Sequence, residues 1–267
     1  MIIKIPFHKL KTFVSFMIFI GLVFGTYFAV TRAYTPGDTS GVKKVMPPPY
    51  SDPSLVGYWG MDDNVASTTV VDSSGSGNNG TAQANTNTKS TTDAIHNRAL
   101  TFNGTSDYVD LGSTIDDSFV QGDPVSVSAW VKYDSNPGDS NEIISIGFGS
   151  NAGFSLTSSY GNDNMPGFAY HNGITLSWAL QAGGVSLYDG QWHFLVATAS
   201  TWNNTANFKI YIDGVSKSFN GGGQAYVNTN SIGKGSYGKF NGSIDDVRIY
   251  NRALSAGEVK VLYMRGR

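Results

Sequence analysis

The segment Gly242-Ser-Ile-Asp-Asp-Val-Arg-Ile-Tyr-Asn-Arg-Ala-Leu-Ser255 decides the fold class of this chain. Residues 243–250 have the alternating pattern of a β-strand, which predicts two faces. These faces are Ile244, Asp246, Arg248 and Tyr250 on one side and Asp245, Val247 and Ile249 on the other. Ser255, followed three residues later by Glu258, forms a capping box, which predicts a short helix over residues 256–263. The segment is therefore interpreted as a closing strand with two adjacent carboxylates that leads into a capped helix.

Six further segments precede it in the chain. They are Leu55-Val-Gly-Tyr-Trp-Gly-Met-Asp62, Asp72-Ser-Ser-Gly-Ser-Gly-Asn-Asn-Gly-Thr81, Ala99-Leu-Thr-Phe-Asn-Gly-Thr-Ser-Asp-Tyr-Val109, Val125-Ser-Val-Ser-Ala-Trp-Val131, Asp189-Gly-Gln-Trp-His193 and Ile210-Tyr-Ile-Asp-Gly214. With the closing segment, they resemble the laminin-G-like jelly-roll domains of the concanavalin A-like lectin/glucanase superfamily. The resemblance covers residues 55–263. It implies an all-β fold, a two-sheet antiparallel jelly-roll sandwich.

The composition agrees with a sandwich of short strands and excludes several classes of function. Only 14% of the residues are charged and the net charge is −2, which argues against nucleic-acid binding. Glycine is abundant at 32 residues, and aromatic residues reach 13%, enough to build a core. The chain has no cysteine, which excludes disulfides and thiolate metal sites. The lack of cysteine favours a bacterial or archaeal surface over an animal extracellular module.

The chain divides into three predicted parts. Residues 1–33 comprise a basic tip and a hydrophobic helix, because residues 13–30 contain no charge over 18 positions. This helix is interpreted as a signal-anchor that leaves the domain outside the membrane, or as a signal peptide whose cleavage would give a secreted protein. Residues 34–54 form a linker stiffened by Pro47-Pro48-Pro49. Residues 55–265 form the jelly roll, with twelve to fourteen strands of about 10-residue spacing.

The distribution of carboxylates and histidines argues against an enzyme. Glycoside hydrolysis usually needs two positioned carboxylates, and the chain has only two glutamates, Glu142 and Glu258. Adjacent aspartates such as Asp245 and Asp246 are predicted to point to opposite faces of a strand. No G-x-S-x-G nucleophile elbow is present, and His193 is interpreted as a structural histidine at the start of a core strand.

The resemblance implies a structural Ca²⁺ held between the first strand and the last. The matching positions are Asp62 and Asp245, since hard cations take carboxylate, amide and carbonyl oxygens. The other candidate ligands are Asp72, Asn78 and Asp246. The alternative is that the aspartates cap turns and that Asp245 pairs with Arg248 or Arg252.

Aromatic side chains in the loops predict carbohydrate binding, because aromatic rings stack on the C–H patches of sugars. Trp202 is the first candidate, since its neighbourhood lacks the alternation that would bury it. The other candidates are Tyr160, Tyr170, Asn172 and Tyr237, with Trp178 and Tyr226. The expected function is a non-catalytic recognition module at a cell surface, with a glycan as partner. The alternative is a surface protein that binds another protein.

Overall fold

The computed structural model describes residues 52–63, 67–84, 90–119, 122–133, 142–148, 152–157, 166–172, 177–182, 186–201, 207–223, 229–236 and 238–267. The predicted hydrophobic helix and most of the predicted linker lie outside these residues. Among the residues described, no helix combines the length and the apolar character that a membrane span requires.

The described residues form seventeen short strands and one α-helix, α1 (Ala256–Arg265). The strands are β1 (Leu55–Trp59), β2 (Thr69–Val70), β3 (Gly80–Gln83), β4 (Ser90–Thr91), β5 (Ala99–Asn103), β6 (Tyr108–Asp110), β7 (Val125–Tyr133), β8 (Glu142–Phe148), β9 (Ala152–Thr157), β10 (Gly167–Asn172), β11 (Ser177–Ala182), β12 (His193–Ala199), β13 (Phe208–Ile212), β14 (Val215–Lys217), β15 (Phe219–Gly223), β16 (Ser231–Ile232) and β17 (Asn241–Tyr250). A 3-10 helix spans Thr114–Ser118.

These strands form two antiparallel sheets that pack as a jelly-roll sandwich, as predicted. Sheet A has eight strands in the order β14-β13-β12-β7-β17-β5-β4, with β1 paired to β17. Sheet B has nine strands in the order β15-β11-β10-β9-β8-β16-β6-β3-β2. The main hydrophobic core lies between the sheets, where the inward side chains of both meet.

A second apolar cluster lies on the outer side of sheet A, where α1 packs. The ring of Trp130, on β7, stacks on Tyr263 of α1 with centroids 5.6 Å apart and also contacts Phe194. Because α1 covers this face, β7 is buried on both sides and is not the half-buried strand that its alternation predicted. Trp192 is only partly buried at the margin of the same cluster.

The predicted capping box begins α1 and is confirmed. The Ser255 hydroxyl accepts from the Glu258 amide at 3.3 Å, and the Glu258 carboxylate accepts from the Ser255 amide at 2.8 Å. Glu258 also pairs with Arg252 at 2.7 Å, and Arg252 in turn contacts Asp52 at 2.6 Å. The helix is therefore fixed at its first turn to both ends of the described domain.

Two turns that contain glycine connect their strands in different ways. Asp213-Gly214 joins β13 and β14 as a hairpin, with φ values of 52° and 75° that suit a type I′ turn. Asn103-Gly104 carries the chain from sheet A to sheet B, since β5 pairs with β17 and β6 with β3. The Asn103 side chain accepts from three successive amides and so stabilises the crossing.

Candidate functional site

β17 carries a β-bulge at its two adjacent aspartates. Its pairing with β7 is interrupted between Asp245 and Arg248, and Asp246 has a φ of 55°, a left-handed value that aspartate tolerates better than most residues. The extra residue places Ile244 in the core instead of on the predicted face of Asp246. Asp245 and Asp246 both contact His96, so the prediction that they point to opposite faces is wrong.

Asp246 is held in a buried ion pair with Arg248. Two guanidinium nitrogens donate to the two carboxylate oxygens, both at 2.9 Å. The guanidinium also lies 4.3 Å from the centre of the Tyr58 ring, in the geometry of a cation–π contact. Arg248 therefore pairs with Asp246 and not with Asp245 as the alternative had it, and both oxygens of Asp246 are occupied.

Asp245 is fully buried and only half satisfied. Its Oδ2 accepts from the backbone amides of Ile95 and His96 at 2.8 and 3.0 Å. Its Oδ1 has no hydrogen-bond partner. Burial and the negative charges of Asp246 and Asp62 raise the pKa of the carboxyl group to about 8, although the two amide hydrogen bonds oppose the shift. The ionised carboxylate is therefore incomplete, and a proton or a cation at Oδ1 would complete it.

Asp62 approaches the same place from the end of β1. The preceding residue, Met61, is buried and has a φ of 53°, an uncommon conformation for a residue with a side chain. The Asp62 carboxylate accepts from the Arg98 amide at 2.9 Å and from the Asn97 side chain at 3.1 Å. The turn at residues 95–98 thus holds Asp62 and Asp245 from one piece of backbone.

This arrangement offers few side-chain ligands to a cation. No group of three or more acidic, histidine or cysteine side chains that could hold a metal occurs in the described part of the chain. Of the three aspartates gathered here, Asp246 is paired with Arg248, whereas Asp62 and Asp245 accept from amide groups. Calcium commonly completes such a pair with backbone carbonyls and water.

Asp72 and Asn78 lie in a separate, fully connected loop. Asp72 accepts four hydrogen bonds, from the amides of Tyr58, Ser74 and Asn78 and from the Ser74 hydroxyl, at 2.8–2.9 Å. The side-chain amide of Asn78 donates to the Val56 carbonyl at 2.9 Å. Because donors surround the carboxylate, these two residues organise the loop and present no oxygen to a cation.

The predicted sugar-binding residues do not form a group in the described structure. Tyr170 faces the core, 2% exposed, where its ring meets Phe208 edge-on with centroids 6.0 Å apart. It is therefore not a surface platform, because the alternation of β10 directs it between the sheets. Asn172 ends β10. Trp202, Tyr160, Tyr237 and Tyr226, and the side chains of Asn172 and Trp178, lie outside what the structure describes.

The middle of the outer face of sheet B is built from small side chains. Ser145, Ser155 and Ala169 stand opposite one another on β8, β9 and β10 and are buried. Gly147 and Gly153 form the next row. The outer face of sheet A is therefore covered by aromatic side chains and α1, whereas these buried outer positions of sheet B carry small side chains.

Glu142 and His193, the glutamate and the histidine considered in the sequence as possible catalytic groups, have structural partners. Glu142 is buried and accepts from the Gly238 amide at 2.9 Å. His193 lies between two carboxylates, Asp213 at 2.9 Å and Asp189 at 3.0 Å, which raise its pKa against its burial. This agrees with the structural role predicted for His193. The Asp245 carboxyl, although beside Asp62, is too deeply buried to reach a glycosidic oxygen.

Comparisons with known proteins agree with the jelly-roll fold. Residues 103–260 match the family model Laminin_G_3, described as the concanavalin A-like lectin/glucanases superfamily. A search of curated proteins found no match. Among solved structures, domain 4 of AbnA, a GH43 extracellular arabinanase from Geobacillus stearothermophilus solved in complex with arabinotriose, has 23% identity and a TM-score of 0.54. The alignment covers 79% of this chain and 98% of that domain.

Two neurotoxin domains are similar in the same way. A structure of botulinum neurotoxin type C, whose cell entry depends on interaction with two ganglioside molecules, has 19% identity, a TM-score of 0.54 and coverage of 80% of this chain and 51% of that one. The binding domain of botulinum neurotoxin DC, in complex with rat synaptotagmin II, has 18% identity, a TM-score of 0.54 and coverage of 80% and 52%. This chain spans about half the length of these two, and the likeness at such identities concerns the fold.

Proposed function

Because this chain belongs to the concanavalin A-like lectin/glucanases superfamily, we propose that it is a non-catalytic recognition module that binds carbohydrate and carries a structural Ca²⁺. The observation that carries the proposal is the placement of its carboxylates. Asp245, Asp246, Asp72 and Glu142 are all buried, and each holds a loop or a neighbouring strand. These buried carboxylates thus stabilise the loops from inside the sandwich. The outward sides of the loops would then recognise a ligand.

The carbohydrate part of the proposal rests on which surfaces remain available. The outer face of sheet A is occupied by α1 and its aromatic contacts. The middle of the outer face of sheet B is also buried, at Ser145, Ser155 and Ala169. The loops remain, and the sequence predicts Trp202, Tyr160 and Tyr237 as their ligand-binding residues. One similar fold was solved in complex with arabinotriose, and the cell entry of another protein of similar fold depends on gangliosides, which supports a glycan as the first ligand class to test.

The calcium part rests on the incomplete environment of Asp245. A Ca²⁺ ion between Asp62 and Asp245 would neutralise two carboxylates and supply the partner that Asp245 Oδ1 lacks. The left-handed backbone at Met61 and Asp246, next to the two ligands, agrees with a site that the fold keeps preformed. The ion would join the first and last strands of sheet A.

The N-terminal part of the proposal comes from sequence alone. The hydrophobic segment at residues 13–30 would anchor the chain in a membrane with the jelly roll on the extracellular side, or would be removed to give a secreted protein. The low charge of the chain favours a glycan or a surface protein as partner and disfavours nucleic acid.

The first experiment is thermal unfolding of the full chain with Ca²⁺, with EDTA, and with Ca²⁺ restored, in wild type and in Asp245→Asn. A ligand at one hundred times its Kd stabilises the folded state by about 2.7 kcal/mol, a shift of several degrees. We expect a reversible increase in the melting temperature of the wild type only. An equal shift in both proteins, or none in either, would contradict the metal site. Screening against neutral and acidic glycans, with and without Ca²⁺, tests the recognition role.

A second candidate function, protein–protein adhesion, is favoured by an exposed apolar group beside α1. Val261 and Met264 point outward from the helix and are 49% and 60% exposed, and Val215, in the turn that contacts Tyr263, is 58% exposed. A protein partner would bury these side chains. The variant Val261→Ser/Met264→Ser would then abolish binding of that protein partner and leave glycan binding unchanged. If the chain binds only glycans, the variant should bind its ligand as the wild type does.

A further inference from the structure

We propose that Trp192 and Asp93 form a subsite for a neutral sugar with neighbouring hydroxyl groups. The subsite lies between the loop that follows β4 and the loop that precedes β12. This inference rests on the proposed carbohydrate-binding function, and it names the class of sugar and a place for it. The two residues are 99 positions apart in the sequence, and the indole nitrogen of Trp192 donates to Asp93 Oδ1 at 3.1 Å.

Trp192 is an aromatic side chain at the surface of the described domain. By the alternation of β12, it falls on the same side as Phe194, which is the outer side of sheet A. Its ring packs against the apolar cluster under α1 and is partly exposed. Within the described part of the chain, neither a second ring nor a cation stacks on it. The exposed part of the indole can therefore contact the C–H groups of a sugar.

Asp93 is held beside this ring and keeps capacity for further hydrogen bonds. Its side chain is 59% exposed, and its Oδ2 accepts from the Lys132 ammonium at 2.6 Å. The hydrogen bonds from Lys132 and Trp192 lower the pKa of Asp93, so the group is ionised at neutral pH. Each carboxylate oxygen can accept a second bond, and the ammonium group has two more N–H donors. The pair can thus accept from one sugar hydroxyl and donate to the next.

Hydrogen bonds to the backbone fix both loops. The Asp93 amide donates to the Thr91 hydroxyl at 3.1 Å, and the turn that follows is held by the buried carboxylates described above. In the other loop, the Gln191 amide donates to the Asp189 carboxylate at 2.9 Å. The same carboxylate contacts His193 at 3.0 Å. The distance between the ring and the carboxylate is therefore set before a ligand binds.

A row of polar side chains continues from the subsite across the outer side of sheet A. Lys132, Ser243 and Thr101 stand opposite one another on β7, β17 and β5. They point outward because their neighbours Val131 and Ile244 are in the core. The hydroxyl oxygens of Ser243 and Thr101 are 3.5 Å apart, and Lys132 and Thr101 are partly exposed. This row offers hydrogen bonds to a second sugar residue of the same chain.

The charges around the subsite favour a neutral sugar over an acidic one. Asp93 and Lys132 balance each other, and the buried ion pair on β17 is neutral as well. In the turn between them, the carboxylate of Asp62 accepts from the amide of Arg98, which is itself a cation. No excess of positive charge attracts a carboxylate or sulfate, and Asp93 would repel one. Two neighbouring hydroxyl groups, by contrast, match one acceptor and one donor.

The experiment measures binding of the full chain to soluble polysaccharides by affinity electrophoresis. The neutral polymers are arabinan, galactan and dextran, and the acidic polymer is polygalacturonate. We expect at least one neutral polymer to bind about tenfold more tightly than polygalacturonate. Equal or tighter binding of polygalacturonate would overturn the subsite and leave the proposed function. Binding of none of the four polymers would overturn both.

Variants of the two residues test whether the neutral polymer binds at the subsite. Trp192→Ala should weaken binding about tenfold or more, and Trp192→Phe, which keeps a ring, should stay within about threefold of wild type. Asp93→Asn should weaken binding about fivefold, since it loses a charged acceptor and the ion pair that orients Lys132. The control Asp110→Asn removes an exposed aspartate from sheet B and should change binding less than twofold.

The melting temperature of each variant separates loss of binding from loss of the fold. Trp192 packs against an apolar cluster, so its alanine variant also loses stability, whereas Asp93→Asn alters an exposed side chain. Wild-type binding by Asp93→Asn at an unchanged melting temperature would overturn the subsite. Loss of binding in Trp202→Ala, with wild-type binding in Trp192→Ala, would overturn the subsite and retain the proposed function.

Discussion

Asp72 and Asp245 are both buried aspartates that accept hydrogen bonds from backbone amides of other segments of the chain, yet their surroundings are opposite. Asp72 is surrounded by four donors, three of them backbone amides. Asp245 has two amide donors on one oxygen, no partner on the other, and two further carboxylates nearby. Burial alone therefore does not distinguish a carboxylate with a complete set of donors from one that lacks a partner. The distribution of donors and of neighbouring charge does.

The largest expected effect concerns the pH dependence of stability without metal. The unfolded chain ionises Asp245 near pH 4, whereas the folded protein keeps it protonated up to about 8. The unfolded state therefore binds fewer protons in this interval, and stability falls as pH rises, by at most about 1.4 kcal/mol per pH unit. Urea unfolding in EDTA at pH 4–8 should show a steeper decline for wild type than for Asp245→Asn. Parallel profiles would remove the contrast with Asp72.

The next effect is the loss of the Asp72 loop. In Asp72→Asn, an amide group replaces one acceptor oxygen and opposes the donors of Ser74 and Asn78, so we expect a loss of about 2–3 kcal/mol in the free energy of unfolding. The control Asp110→Asn changes an exposed aspartate with one amide contact and should cost less than about 0.5 kcal/mol. Similar small losses in both variants, measured by urea unfolding, would show that the Asp72 network is dispensable.

A third effect tests whether Asp245 is a metal ligand. Because Ca²⁺ binds the ionised form of Asp245, its apparent affinity should fall about tenfold for each pH unit below 8. Calorimetric titration of the full chain with CaCl₂ at pH 6, 7 and 8 measures this slope. The variant Asp62→Asn should weaken binding at every pH. An affinity that stays constant from pH 6 to 8 would place the ion away from Asp245.

The smallest effect concerns His193, a titratable group whose partners are complete. Asp213 and Asp189 raise its pKa, so its ion pairs contribute stability below pH 6.5 that is lost as pH rises through the raised folded pKa. The pair is partly exposed, and the contribution should be about 0.5–1 kcal/mol after screening by solvent. Thermal unfolding at pH 6 and 9 should show a larger loss for wild type than for His193→Gln. A loss of the same size in His193→Gln would assign it to other groups.

Much of the fold was predictable because its signals are local. The alternation in β7 and β12, the Asp213-Gly214 turn and the Ser255–Glu258 capping box each depend on neighbours within a few residues. The path of the chain at Asn103-Gly104 was not predictable, since an Asn-Gly turn has the same sequence whether it joins two strands of one sheet or crosses between sheets. The prediction that Tyr170 lies on the surface was wrong, because the two-residue alternation of side chains was not followed through β10.

The sequence predicted which residues belong to the candidate cation site but not how they are arranged. The positions of Asp62 and Asp245 follow from the resemblance of the first and last strands. The bulge that turns Asp245 and Asp246 to the same side is invisible to a strict two-residue period, although a pair of aspartates, residues that tolerate positive φ, is a signal that could have predicted it. The assignment of Arg248 to Asp246 follows from that bulge.

The sequence by itself determined the class of this protein: an all-β sandwich of short strands, closed by a strand that carries two carboxylates and ends in a capped helix. These features follow from side-chain periodicity and backbone preference, which act over a few residues. Only the tertiary structure decided which carboxylate keeps an oxygen without a hydrogen-bond partner and which aspartate lies beside the ring of Trp192. Those outcomes depend on contacts between residues far apart in the chain, whose geometry exists only when the two sheets have closed on each other.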